Sequence, residues 1–116
     1  MVGIDLISVE RIEKAMKTDG FNDRVFTVSE LEYASKKSNP SQTLAGFYAT
    51  KEAIAKALKL PLMQIIRETE ISHDESGAPF VLFSGNTKEL AKDYKVEISI
   101  SHDGGFAIAV ATGEKI

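Results

Sequence analysis

The stretch Ser41–Leu58, SQTLAGFYATKEAIAKAL, constrains what this chain can fold into more than any other. Pro40 disfavours helix at Asn39, so the pattern predicts a helix opening with Ser41 as its N-cap. Leu44, Phe47, Tyr48, Ile54, Ala55 and Leu58 recur at helical spacing, and Pro61 stops the element. Lys51 breaks the stripe, standing at its centre where an apolar residue belongs. Glu52 lies beside it, one turn below Tyr48, and Lys56 lies one turn below Glu52. An ordinary account has Lys51 snorkelling to water and Glu52–Lys56 forming a surface ion pair. A functional account has Lys, Glu and Lys bordering a buried face in order to act on a ligand.

A chain of 116 residues is expected to form one domain, residues 1–116, with a modest core. A formal charge of -3 argues against nucleic-acid binding through bulk charge. The absence of cysteine removes disulfides, thiolate zinc sites and cysteine nucleophiles together. No apolar run reaches membrane-spanning length, and Asp5 and Glu10 fit neither a signal nor a transit peptide. The expectation is a soluble cytoplasmic protein with no membrane partner.

Along the chain, Val2–Ile7 reads as a strand with Val2, Ile4 and Leu6 on one face and Gly3, Asp5 and Ile7 on the other. Asp5 is a carboxylate inside an apolar run, which costs free energy unless it is paired or binds a cation; the ordinary account has it facing water on an edge strand or capping a neighbouring helix. Gly3, on the same face, is expected to leave open space beside it. Ser8 caps a helix to about Thr18, and Arg11, Lys14 and Lys17 cover one side of it. Such charges form either a solvated face or a dock for an acidic partner. Gly20 breaks this helix. Thr27-Val28-Ser29-Glu30 is a capping box for a helix to about Lys37, with Phe26 and Leu31 as a hydrophobic staple.

After Pro61, Leu62–Ile66 reads as one short turn. Glu70–His73 and Pro79–Ser84 read as strands around Asp74-Glu75-Ser76-Gly77, and Asn86–Asp93 as a short helix. His73 is expected at the surface. Lys95–Ser101 alternates, with Val96, Ile98 and Ile100 on one face. Asp103-Gly104-Gly105 turns the chain into a hairpin strand, Phe106–Ala111. Phe106, Ile108 and Val110 share one of its faces and Ala107, Ala109 and Ala111 the other. The alanine face is smooth enough for close approach, by the helix of its own chain or by a neighbouring subunit. The element order predicts an α+β fold, an antiparallel sheet packed against a long central helix.

Asp5 on a strand and Glu52 on a helix are expected to meet across the sheet–helix interface. Two oxygen ligands with lysines beside them suit Mg²⁺ bound to a phosphate ester, because Mg²⁺ keeps waters and takes further oxygens from substrate phosphate. Lys51 and Lys56 would neutralise phosphate oxygens. Zinc lacks ligands here, and no Gly-rich phosphate loop is present.

At these residues the chain resembles holo-[acyl-carrier-protein] synthase, the short type of 4'-phosphopantetheinyl transferase. The matching blocks are Gly3-Ile4-Asp5 with Glu10-Arg11-Ile12; Arg24-Val25-Phe26-Thr27 with Glu30; Phe47–Ala53 with Lys56-Ala57; and Ser99-Ile100-Ser101-His102 with Ala107–Val110. They span nearly the whole chain. The resemblance implies transfer of the 4'-phosphopantetheine arm from coenzyme A to a serine of apo acyl carrier protein, releasing adenosine 3',5'-bisphosphate, in fatty acid biosynthesis. It implies Asp5 and Glu52 as Mg²⁺ ligands and catalytic groups, and Lys56 at the phosphate under attack. By its position, Lys51 is expected to support the phosphates. Ser101 and His102 fall where the family contacts the nucleotide end. Arg11, Lys14 and Arg24 fall in the region that meets the acidic carrier. Larger relatives join two such domains around one cleft, which implies a homotrimer with sites between subunits. Two departures stand out: Phe47 where many members have arginine, and Gly77-Ala78-Pro79 where many have Gly-Lys-Pro. The alternative from another class is a non-catalytic module that binds a metal or nucleotide without turnover.

Overall fold

The computed structural model describes residues 1–116. Its longest element is helix α4, Pro40–Leu58. The helix opens two residues earlier than expected. Asn39 is the cap, its side chain accepting from the Gln42 N–H at 3.1 Å, and Pro40 takes the first helical position. Proline is well placed there, because a first-turn N–H has no helical partner to lose. Lys59 ends α4 in the left-handed conformation, φ 56°, and its N–H bonds the Ala55 carbonyl.

Before α4 come strand β1 (Val2–Ser8) and helices α1 (Val9–Met16), α2 (Phe21–Val25) and α3 (Val28–Ser35). Ser8 caps α1 through the Arg11 N–H. Thr27 and Glu30 form the capping box of α3 in both directions, with Phe26 buried and Leu31 half-buried beside it. The short helix α2 was not legible in advance. It starts after Gly20, which holds φ 80°.

After α4 come α5 (Leu62–Glu68), β2 (Thr69–His73), β3 (Pro79–Phe83), α6 (Gly85–Ala91), β4 (Tyr94–Asp103) and β5 (Phe106–Lys115). Where a single turn was expected, α5 is a helix of seven residues. It buries Ile65 and Ile66 against the rest of the core, and that tertiary contact extends it beyond its local signal. The β2–β3 hairpin is closed by Asp74, whose carboxylate accepts from the Ser76 N–H, the Ser76 hydroxyl and the Ala78 N–H.

Strands β1, β5 and β4 form an antiparallel sheet in that order, with β5 in the middle. Asp5 pairs Ala109, which pairs Ile100 on the far side, so these residues lie abreast on one face. α4 covers this face. Ala107, Ala109 and Ala111 are buried beneath it, opposite an alanine stripe on the helix, Ala45, Ala49, Ala53 and Ala57. The alanine face therefore packs on the helix of its own chain. Small side chains let the backbones approach closely. A Cβ on Gly3 would stand 2.0 Å from the Ala53 carbonyl oxygen and 2.7 Å from the Ala57 nitrogen. The expected open space beside Asp5 is thus filled by the α4 backbone.

The opposite face of the sheet has no covering layer. Val2, Ile4 and Leu6 remain 68%, 55% and 60% exposed, with Phe106 and Ile108 beside them on β5.

Candidate active site

Asp5 projects from β1 toward α4, where Glu52 and Lys56 sit one turn apart. The Lys56 ammonium donates to Asp5 Oδ1 at 3.1 Å and to the Ile4 carbonyl at 3.0 Å. The expected surface pair is therefore replaced: Lys56 crosses to the strand instead of running along its own helix to Glu52. The Asp5 side chain is only 11% exposed, whereas that of Lys56 is 57% exposed.

Burial first, and then the neighbouring Asp5 charge, raise the Glu52 carboxyl above its ordinary range, and Arg11 and Lys56 partly oppose this. The two acids are close enough to share a hydrogen bond when one is protonated. Two carboxylates held this close favour a cation or a shared proton between them. No third Asp, Glu, His or Cys joins them. The donor set is two carboxylate oxygens in a cleft open to water, and it fits a hard divalent cation that takes its other oxygens from water or phosphate. Beside it lies a cavity of about 250 Å³ lined by Glu52, Ala55, Lys56, Leu60 and Leu62, with an acidic and a basic end on an apolar floor.

Two further residues border the pair. Arg11, exposed on α1, acts on Glu52 and on Tyr48 through its charge. Tyr48 lies one turn before Glu52. Its phenol is raised in pKa by burial and then by Glu52. Sequence reasoning took Tyr48 only as part of the apolar stripe, although its four-residue offset from Glu52 was the signal for a place beside the carboxylates.

Lys51 does not reach this site. Its side chain is fully buried, with the ammonium 2.7 Å from Glu30 Oε1 and 2.9 Å from the Val25 carbonyl. Burial lowers its pKa, and Glu30 opposes the shift. With no exposed atom, it has nothing to offer a phosphate, so its expected role there is withdrawn. Nor does it snorkel to water.

Ser101 and His102 are exposed and stand apart from the carboxylates. His102 Nε2 donates to the Gln42 carbonyl at 2.9 Å, in the first turn of α4. Gln42 and Glu52 are ten residues apart, about 15 Å along the helix axis. Ser101 belongs to the uncovered face of the sheet, paired with Ile108. Near His102 is a second cavity, of about 180 Å³, with Tyr33, Lys37, Phe47, His73 and Pro79 among its lining. His73 is not a plain surface residue. Its ring stacks on Tyr33 at 3.9 Å and 4°, and the Lys37 ammonium lies 4.6 Å from the Tyr33 ring centre. Phe47 is 2% exposed and packs 5.9 Å from Tyr33, so it is a core residue. Ala78 is exposed in the β2–β3 turn. Lys14 pairs with Glu10 at 3.1 Å and Arg24 lies 3.4 Å from the Asp19 carbonyl, both on the surface.

The sequence pattern of the 4'-phosphopantetheinyl transferase superfamily matches residues 1–111. Holo-[acyl-carrier-protein] synthase of Caldicellulosiruptor saccharolyticus is 39% identical over 98% of this chain and 95% of its own length. Among solved structures, Helicobacter pylori holo-[acyl-carrier-protein] synthase in complex with coenzyme A superposes with a TM-score of 0.81 at 35% identity, covering 98% of this chain and 100% of that one. The ACPS–CoA complex of Chronobacterium ammoniagenes gives 0.86 at 27% identity, over 99% and 96%. With the pattern matched from β1 into β5 and the fold shared end to end, the chain belongs to the 4'-phosphopantetheinyl transferase superfamily.

Proposed function

We propose that this chain is a holo-[acyl-carrier-protein] synthase. It moves 4'-phosphopantetheine from coenzyme A to a serine hydroxyl of apo acyl carrier protein and releases adenosine 3',5'-bisphosphate. The serine oxygen forms a bond to the phosphorus bearing the pantetheine arm, and the bond from that phosphorus to the nucleotide's 5'-phosphate oxygen breaks. The serine proton leaves to the water of the open cleft.

The observation that carries this reading is the contact of Asp5, Glu52 and Lys56 across the β1–α4 interface. Asp5 and Glu52 are the ligands of choice for Mg²⁺, which when bound supplies positive charge to the pyrophosphate. Lys56 has an exposed ammonium with three donors, and a phosphate oxygen replaces one of its present acceptors without leaving it unpaired. The apolar floor of Ala55, Leu60 and Leu62 gives the pantetheine arm a surface to lie on.

Ser101 and His102 contact the nucleotide end. His102 lies ten residues up α4 from Glu52, at the Gln42 carbonyl, and in the assembly proposed here it and Ser101 serve a neighbour's site. The uncovered apolar face of β1 and β5 supports the same assembly, a cytoplasmic homotrimer, because such a patch marks an interface. Arg11, Lys14 and Arg24 receive the acidic carrier, with Arg11 at the border of the reacting groups.

The test is incubation with coenzyme A, apo acyl carrier protein and Mg²⁺, followed by mass spectrometry of the carrier. The expected result is gain of one phosphopantetheine arm, abolished by EDTA and restored by Mg²⁺. A carrier that stays unmodified overturns the activity. Transfer undiminished by EDTA overturns the metal.

A further inference from the structure

The buried pair Lys51–Glu30 takes no part in the chemistry above, yet it is among the most heavily bonded clusters in the molecule. Glu30 Oε1 accepts from Lys51 at 2.7 Å and from the Thr27 N–H at 2.9 Å, and Oε2 accepts from the Ile71 N–H at 2.7 Å. Lys51 also donates to the Val25 carbonyl at 2.9 Å. One carboxylate thus ties α4 to α3, to β2 and, through its lysine, to the end of α2. A buried pair of this kind gains little stability over apolar side chains of the same size. Its best-attested use is to set register.

Register is what α4 lacks on its sheet side. There the helix offers Ala45, Ala49, Ala53 and Ala57, the middle of the sheet offers Gly3, Ala107, Ala109 and Ala111, and the larger Ile7 and Ile100 only flank this strip. Helices are usually held in rotation by large side chains seated between those of a neighbour. The alanine strip permits close approach but interdigitates only at its borders, with Ile7 and Ile100. This strip alone therefore sets the roll of α4 less firmly than interlocking large side chains would. Glu52 follows Lys51 directly, about 100° around the axis, so any roll carries it relative to Asp5. Lys56 does not prevent this, because its long side chain is 57% exposed and adapts.

We propose that Lys51 and Glu30 are positioning residues: the buried pair pins the roll of α4 and so holds the Glu52 carboxylate opposite Asp5 at the spacing a divalent cation requires. The inference rests on the metal reading of Asp5 and Glu52, and its test separates the two.

Mn²⁺ binding to the protein alone, followed by electron paramagnetic resonance, is compared for the parent, the neutral double variant Glu30→Gln/Lys51→Met, and Glu30→Asp. The double variant removes both charges together, so neither is left buried alone. The expected result is about tenfold weaker Mn²⁺ binding, the scale for loss of a group that orients a ligand. Circular dichroism and the KM for carrier protein should stay unchanged. Glu30→Asp keeps the charge but withdraws it by one methylene. A smaller but measurable loss is expected there, and this variant decides the matter should the neutral pair fail to fold. Parent-like Mn²⁺ affinity in the folded variants overturns the positioning role and leaves the metal site standing. A parent that binds no Mn²⁺ overturns the metal reading and the inference together.

Discussion

Lys56 Nζ stands 3.1 Å from Asp5 Oδ1, joining an exposed cation on α4 to a nearly buried carboxylate on β1. Asp5 therefore has a partner in the absence of ligand, and on the proposed reading a cation held by Asp5 would release Lys56 toward phosphate. Asp5→Asn and Glu52→Gln each keep shape while removing one charged oxygen ligand. Each is expected to lower kcat by about 10²-fold or more, the scale for loss of one preorganised electrostatic group. Steady-state transfer at saturating Mg²⁺ measures this. Near-parent kcat in either variant removes that residue from the site.

Gly3→Ala tests the closeness of β1 to α4. The added methyl meets backbone at Ala53, which has no rotamer with which to yield, so strand and helix must separate. The expected cost is about 1–3 kcal/mol, as for overpacking elsewhere in a core. Denaturant unfolding reads it, and an unchanged midpoint would show that the contact relaxes freely.

Locally encoded features were legible. The capping box at Thr27, the cap at Ser8, the alternation of β1, β4 and β5, and the turn at Asp74 each arise within a few residues. The nearness of Asp5 and Glu52 was legible only as chemistry, because a carboxylate inside an apolar strand and another bordering the apolar face of a helix, with lysines beside them, suit one cation. The fate of Lys51 was not legible. Its acceptor Glu30 is 21 residues away and was already assigned to a cap, a role it keeps while also receiving Lys51. Gly3 misled for a related reason, since an absent side chain reads equally as empty space or as room for another backbone. The alanine face left two occupants open, and only the tertiary packing chose between them.

His73 gives a pH dependence of stability. Burial, with a smaller contribution from Lys37, holds its imidazole below the usual range. The folded state disfavours the proton, so the unfolded chain takes it up at higher pH. The stability tied to neutral His73 is fully present above the unfolded value of about 6.5 and is lost as pH falls through the window below it. His73→Phe keeps a ring on Tyr33 without the titration. Calorimetry from about pH 7 to pH 5 should show the parent Tm falling further than that of the variant. Parallel curves would show that His73 charges freely in the fold.

The uncovered sheet face gives a prediction about assembly. Leu6→Glu and Ile108→Glu place charge in the middle of an exposed apolar patch and disturb no buried side chain, since both positions already face outward. The parent should scatter light as a trimer. The double variant should scatter as a monomer, with circular dichroism retained and transfer lost. A monomeric parent with full activity would overturn the shared site.

The pairing of β1 with β5, from Val2 opposite Thr112 to Ser8 opposite Phe106, sets a timetable for synthesis on the ribosome. Asp5 emerges well ahead of Glu52 and Lys56, and the strand that braces β1 follows later still, with Ala109 opposite Asp5. Until it does, β1 offers the cell an apolar ribbon with unpaired backbone, the kind of segment on which chaperones act. The carboxylates acquire their fixed spacing only when that closing strand docks. On the proposed reading the metal site would thus be a late-acquired property, and a chain released before β5 is complete would carry Asp5 and Glu52 without the sheet that fixes their spacing.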